Sequence, residues 1–310
     1  MKKTQRIGLI VVFFVVIAAG MAGGYIYYVL PHKKVVAKPM ESVMIPAYFA
    51  RYTEEIQLAD KQVTENAHLM RDGSQVTIRE LHGFFALPLK QKVVYQQIRV
   101  PGDPRDYRNG VHQGIDFYQT KRGDAISAAA PGVVIRIDKD YKPVDKKFRD
   151  EMLKLCQVKW NGTPGSVGVP PVEEPYGDVL DKLRGRQVIL YHGKNAQNEP
   201  IISLYAHLLD VNHELSVYDI VNTETIIGYI GNSGTSGEVN HTPNVENHLH
   251  VELFVGGTYW TPKEESEIGK KQPESRYAEL QNMVLQELSK KYTPPTEHLE
   301  PPGAEAPSQP

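Results

Sequence analysis

The stretch Asn247-His248-Leu249-His250-Val251-Glu252-Leu253-Phe254-Val255 constrains this 310-residue chain more than any other. Its apolar residues alternate and are β-branched or aromatic at several positions, which predicts a strand. Successive side chains on a strand point to opposite faces. His248, His250 and Glu252 therefore share one face, and Leu249, Val251 and Leu253 the other. At a rise of ~3.4 Å per residue the two imidazoles stand about 7 Å apart along the strand, facing one cavity. Two imidazoles on the inner side of a strand are costly to bury unless something partners them.

Candidate partners lie elsewhere in the chain: His112 and Asp116 in His112-Gln113-Gly114-Ile115-Asp116, and His207 in Tyr205-Ala206-His207-Leu208. The first stretch reads as a glycine turn entering a short extended run, where a loop can deliver two side chains from one side. Any single one of the 11 histidines is ordinary as a surface or hydrogen-bonded core residue, and a lone H-x-x-x-D arises readily by chance, so the ordered combination carries the weight. Imidazole nitrogen and carboxylate oxygen suit Zn²⁺, and a catalytic zinc takes three protein ligands and keeps a fourth position for water. The five residues divide naturally into three ligands and two helpers, the signature of a zinc hydrolase.

The motifs form a longer series: Val111-His-Gln-Gly-Ile-Asp116, Ala130-Pro-Gly-Val-Val134, Val188-Ile-Leu-Tyr-His-Gly193, Leu204-Tyr-Ala-His-Leu208, Ile227-Gly-Tyr-Ile-Gly-Asn-Ser-Gly234 and His248-Leu-His-Val-Glu252. In this order they resemble the lysostaphin-like (LytM-type) zinc endopeptidases, which cut peptide cross-links of bacterial peptidoglycan. The resemblance covers residues 83–261. It implies a mainly β, antiparallel catalytic domain with a groove over the metal. It also implies His112, Asp116 and His250 as zinc ligands, with His207 and His248 as unligated catalytic histidines. His248 is the better candidate for general base, and His207 for hydrogen bonding the oxyanion or passing a proton to the leaving amine. Glu252 is either a carboxylate orienting an imidazole or an exposed strand carboxylate.

Two departures from the family pattern stand out. Residues 238–247 intervene where the family passes almost directly into the H-L-H strand. Within them His241 reads either as a contact to substrate or metal or as a solvated loop histidine. About 45 residues also separate the strand Gly132–Ile137 from its expected partner Gln187–Tyr191. This insertion, about 138–186, carries Phe148, Met152 and Leu155/Cys156 at helical spacing over Asp145–Cys156, then a Gly/Pro-rich loop at 161–175, then a helical turn at Asp178–Leu183. It reads as a wall of the groove, a lobe that docks cell-wall or division proteins, or an inert insertion. Cys156, the single cysteine, falls on the apolar stripe and reads as a buried thiol.

The N-terminus supplies a compartment. Residues 1–6 are basic, and Ile7–Leu30 carries no charge, long enough to span a bilayer core of ~30 Å. It reads as a single uncleaved transmembrane helix, although Ala18-Ala19-Gly20-Met21-Ala22-Gly23 partly matches a signal-peptidase site. Lys2, Lys3 and Arg6 before the span nearly balance Lys33, Lys34 and Lys38 after it, so placing the catalytic domain in the periplasm or cell wall rests on the wall substrate. A juxtamembrane linker and helical segment occupies 31–82, with Ala47–Met70 helical and Gln75–Leu81 alternating like a strand. Residues 262–310 read as a helix over Glu274–Tyr292 and a disordered Pro/Glu-rich tail. A formal charge of -2 offers no electrostatic case for nucleic acid.

The expectation is thus a membrane-anchored zinc metalloendopeptidase of peptidoglycan. Its rival is a non-enzymatic regulator that retains the fold and activates other wall hydrolases. A second rival is a different zinc peptidase or carboxypeptidase that trims stem peptides without opening cross-links.

Overall fold

The computed structural model describes residues 47–105, 107, 110–118, 120–159, 176–262 and 274–295, which all fall in the second of two compact units, Val43–Pro310. The apolar span 7–30, its flanks 1–6 and 31–46, the 161–175 loop and the tail from residue 296 lie outside these residues, as does the Cys156 side chain. Among the described residues no helix is long and apolar enough to cross a membrane.

The expected antiparallel architecture is present. Thirteen strands follow the chain among the described residues: β1 (Ile98–Arg99), β2 (Pro104–Arg105), β3 (Gly110–Val111), β4 (Ile115–Phe117), β5 (Ala125–Ser127), β6 (Gly132–Ile137), β7 (Val188–Lys194), β8 (Pro200–Ala206), β9 (Leu208–Val211), β10 (Ile220–Val221), β11 (Ile226–Ile230), β12 (Leu249–Val255) and β13 (Thr258–Tyr259). The main sheet runs β1-β4-β12-β8-β7-β6-β10 with β13 on β12; β5-β11-β9 and β2-β3 form two smaller sheets. The expected partner strands 132–137 and 187–191 do pair, as β6 and β7. Five α-helices accompany them: α1 (Thr53–Glu65), α2 (Lys146–Lys159), α3 (Tyr176–Arg184), α4 (Ser236–Val239) and α5 (Glu274–Ser289).

Alternation on the central strands builds two apolar layers. Val134, Val188, Leu190, Tyr205, Leu249, Val251 and Leu253 belong to one, shared with the small sheet and with Leu280, Val284 and Leu288 of α5. Val133, Ile135, Ile189, Tyr191, Ile202, Leu204 and Phe254 belong to the other, beneath Phe49, Ile56 and Ala59. The helix expected over Ala47–Met70 thus packs on the sheet, with Phe49 edge-on to Phe254 at 4.9 Å between centroids. His250 and Glu252 lie on this second face of β12, by alternation with Phe254. One end of the face is roofed by α1, and the other is left for the site.

Two expectations need correction. Gln75–Leu81 is a turn, not a strand: Thr77 Oγ1 accepts from the Arg79 and Glu80 amides, and the Thr77 amide bonds the Glu80 carbonyl. Of its apolar residues Val76 and Leu81 are buried and Ile78 half-buried, and side chains from elsewhere meet others of its backbone groups: Glu287 the Leu81 amide, Asn195 the Val76 carbonyl and Trp260 the Arg79 carbonyl. The insertion helix forms as expected, with Asp145 Oδ1 accepting the Phe148 amide at its start. Phe148, however, is 45% exposed, because the buried side turns on Met152 while Arg149 and Leu153 border the cleft.

Candidate metal centre

The register of three strands assembles the centre. On β12, His250 pairs with Asp116 of β4 on one side and with Ala206, the last residue of β8, on the other. His207 follows Ala206 directly, and its φ of 60° places a non-glycine residue in the left-handed region. There its amide donates to the Arg184 carbonyl at 2.9 Å. His112 sits in the loop between β3 and β4, its backbone tied to Gly102 and Asp103. Gly114 lets that loop press on β12: a Cβ there would lie 2.5 Å from the Val251 carbonyl oxygen and 2.8 Å from His250 Cε1.

Hydrogen bonds then settle which ring nitrogens face inward. Val100 carbonyl oxygen can only accept, so His112 Nδ1–H donates to it at 2.9 Å and Nε2 carries the lone pair. Glu252 accepts from His250 Nε2–H at 2.9 Å, which leaves Nδ1 as the inward atom of the neutral ring. His112 Nε2, Asp116 Oδ1 and His250 Nδ1 form a buried triangle with edges of 3.0, 3.1 and 2.7 Å. Three acceptors so close repel one another unless a cation or a shared proton lies among them. The set suits zinc in donor type, and its edges are short enough for one ion to reach all three at the ~2.0–2.2 Å of Zn–N and Zn–O bonds.

The electrostatics agree with a site built for a cation. Burial pushes the His112 ring down to about 3, helped by Arg105, so it is neutral at pH 7. Burial opposes charge on Asp116, but His112 and His248 hold its carboxyl well below the ordinary range. His250 is raised: burial works against its protonation, and the hydrogen bonds to Asp116 and Glu252 outweigh that. Arg105 Nη2 holds the second oxygen of Asp116 at 3.1 Å, leaving Oδ1 to the triangle.

His207 and His248 stand beside the triangle. His207 Nδ1–H donates to the Ser233 carbonyl at 2.8 Å, and His248 Nδ1–H to the Glu246 carbonyl at 2.8 Å. Each therefore presents an Nε2 lone pair, with ring centroids 4.7 Å apart. Burial lowers both rings, for His207 with help from His248 and His250, so both are free bases at neutral pH. Tyr118 stacks on His248 at 4.7 Å and 16°. Its phenol, pushed up to about 12 by burial and then by Asp116, keeps its proton.

All five sequence-derived residues thus line one cleft of about 630 Å³, together with Tyr118, Arg105, Arg149 and Arg184. Glu252 is the orienting carboxylate of its two readings: it is buried, bonds His250 and pairs with Arg184. His241 is exposed on the 238–247 loop and takes no part in the triangle. The insertion forms a wall through Arg149, Leu153, Leu180 and Leu183. Arg105, Tyr118 and Arg184 were not singled out from the sequence; only the placement of Arg105 and Tyr118 within about ten residues of the His112–Asp116 motif hinted at them.

An antiparallel sheet thus carries a buried His/Asp/His set that could hold a metal ion, with two further histidines beside it. No family model matches the chain, and no curated protein matches it. Solved structures of M23 peptidases are similar to it. A Pseudomonas aeruginosa structure assigned to peptidase M23 is 15% identical, with 67% of this chain and 60% of that one covered and a TM-score of 0.32. A zinc containing peptidase from Vibrio cholerae is 14% identical over 56% of this chain and 39% of that one, TM-score 0.31. A variant catalytic domain of the prophage-encoded M23 protein EnpA from Enterococcus faecalis is 19% identical over 57% and 95%, TM-score 0.31. The chain spans less than two thirds of the length of the first two.

Proposed function

We propose that this chain is a zinc metalloendopeptidase that hydrolyses peptide cross-links of bacterial peptidoglycan, held to the cytoplasmic membrane through residues 7–30 with its catalytic domain in the periplasm or cell wall. The observation that carries the reading is the convergence of His112 Nε2, Asp116 Oδ1 and His250 Nδ1 in a buried cleft that also holds two neutral histidines. Zinc held by these three residues would supply Lewis acidity toward water and a peptide carbonyl. The choice of peptidoglycan rests on the motif series, and the anchor on the apolar run.

The residues divide the work by what each nitrogen can do. His248 Nε2, fixed as an acceptor because Nδ1–H is given to Glu246, takes the proton of the attacking water. It lies 3.6 Å from Asp116 Oδ1, which favours the imidazolium that results. His207, fixed the same way by Ser233, takes the second water proton once the new C–O bond has formed and gives it to the amine as the C–N bond breaks. The protonated Tyr118 phenol, at the same wall, donates to the oxygen on which negative charge develops.

The test is digestion of purified cross-linked peptidoglycan by the full chain, with mass spectrometry of released muropeptides, with and without a zinc chelator. Chelator-sensitive loss of cross-linked dimers supports the endopeptidase and identifies the bond. Intact dimers despite bound zinc transfer the assignment to a regulator of other wall hydrolases, and loss of terminal residues alone transfers it to a carboxypeptidase.

A further inference from the structure

Arg184 closes α3 and ends the insertion, yet it reaches the centre of the site. Its Nε and Nη2 grip the two oxygens of Glu252 at 2.8 and 2.7 Å, with both side chains nearly inaccessible at 5% and 2%. Nη2 also lies 3.4 Å from Gln113 Oε1, in the loop that carries His112. Glu252 passes the constraint on: its Oε1 accepts from His250 Nε2–H at 2.9 Å. The Arg184 backbone acts independently, its carbonyl holding the amide of His207. The following turn is clamped to the same region. Gly185, at φ 70°, lies so close to Ser233 that a Cβ would approach its carbonyl carbon to 2.3 Å, and Ser233 Oγ accepts the Arg186 amide at 2.9 Å.

We propose that Arg184 is a positioning residue of this site, fixing the His250 ring through Glu252 and the His207 backbone through its own carbonyl, so that the insertion is a working part of the metal centre. The proposal rests on the reading of His250 as a metal ligand. A planar guanidinium matches a carboxylate with two parallel bonds, whereas an ammonium offers a point charge on a flexible stem. With the fork in place Glu252 can present only one edge to His250, which holds the proton on Nε2 and the lone pair on Nδ1. Without it the carboxylate rotates and the ring loses its preferred tautomer. Nothing in the motif series calls for a residue at this place, because the arginine comes from the segment by which the chain departs from the family pattern.

The experiment compares the full chain with Arg184→Lys by two readouts: zinc affinity by competition with a chromophoric chelator, and the imidazole nitrogen NMR spectrum of the metal-free, ¹⁵N-histidine-labelled protein. The expected result is a folded variant with zinc affinity reduced about 10–100-fold, as for other partners that orient ligands, and a His250 Nε2–H signal lost or exchanging with solvent. A folded Arg184→Lys with wild-type affinity and an unchanged His250 signal overturns the proposal. If Arg184→Lys does not fold, Arg184→Met/Glu252→Gln removes both buried charges together; wild-type affinity in that protein overturns the proposal, and a comparable loss supports it. If the wild-type chain binds no zinc, the metal reading falls. The NMR comparison still decides the positioning claim, against it where the Nε2–H signal survives in Arg184→Lys.

Discussion

Buried histidines occur in two settings here, and the contrast separates a packing residue from a reactive one. His192, on β7, lies edge-on to Phe85 with 5.2 Å between centroids. Its Nδ1–H donates to the Pro131 carbonyl at 2.7 Å, and Nε2 meets the Ser203 hydroxyl at 2.7 Å. Each nitrogen has a complementary group, so the ring can stay buried and inert. In the cleft the pattern inverts. One nitrogen of each ring is tied to a carbonyl or carboxylate, and the other is aimed at fellow acceptors or open space. Burial alone marks neither setting; what the second nitrogen faces does.

The contrast breaks most sharply at the triangle. Asp116→Ala and His250→Ala are each expected to abolish zinc content and turnover; full zinc by emission spectrometry in either would remove that residue from the centre. His248→Ala sharpens the division within the cleft, with retained zinc and turnover lower by about 10²–10⁴-fold. Wild-type turnover in that variant would end its assignment as base. His192→Ala should do the reverse, costing about 2–4 kcal/mol of stability through a cavity and lost hydrogen bonds while zinc stoichiometry is kept. Urea unfolding with parallel metal analysis checks both halves.

Acid provides a finer test. Burial lowers the His192 ring to about 4. A histidine depressed in the fold contributes stability above its unfolded value of ~6.5, and loses it as pH falls from there toward the folded value, because the unfolded chain takes the proton first. His112, His207 and His248 act in the same direction, His250 in the opposite one, so the chelated protein is the one to measure. His192→Gln should flatten the decline in stability between pH 6.5 and 4.5, and an unchanged slope would exclude His192 from it. The smallest effect expected is for exposed Phe148: Phe148→Ser should change stability by no more than about 0.5 kcal/mol, measured by thermal melting.

How much of this was legible in the sequence follows from range. His248, His250 and Glu252 are spaced by the period of a strand, so their common face needs no tertiary information, and the glycine turn before Asp116 is local too. Arg184 meets Glu252 across 68 residues, and no period links them. Its partnership exists because α3 ends beside the site, where the Arg184 carbonyl holds the His207 amide. Arg105 is hidden for a related reason: its role follows from Asp116 turning Oδ2 outward, a rotamer rather than a pattern. Gln75–Leu81 misled because a turn that places two apolar side chains in the core shows the same alternation as a strand. Phe148 misled because helical spacing specifies a stripe without saying where its edges fall.

The one-to-one pairing of His250 with Asp116 has a consequence for the birth of the molecule. Ile115 and Phe117, on either side of Asp116, are core residues facing the other way. A slip of one residue between β4 and β12 would exchange the two faces, sending the carboxylate into oil and a hydrocarbon toward the histidines. Such a misthreaded chain has no triangle to offer. An ion held as proposed would therefore proofread the sheet: among newly made copies, only those whose strands have found their proper neighbours offer it the three donors.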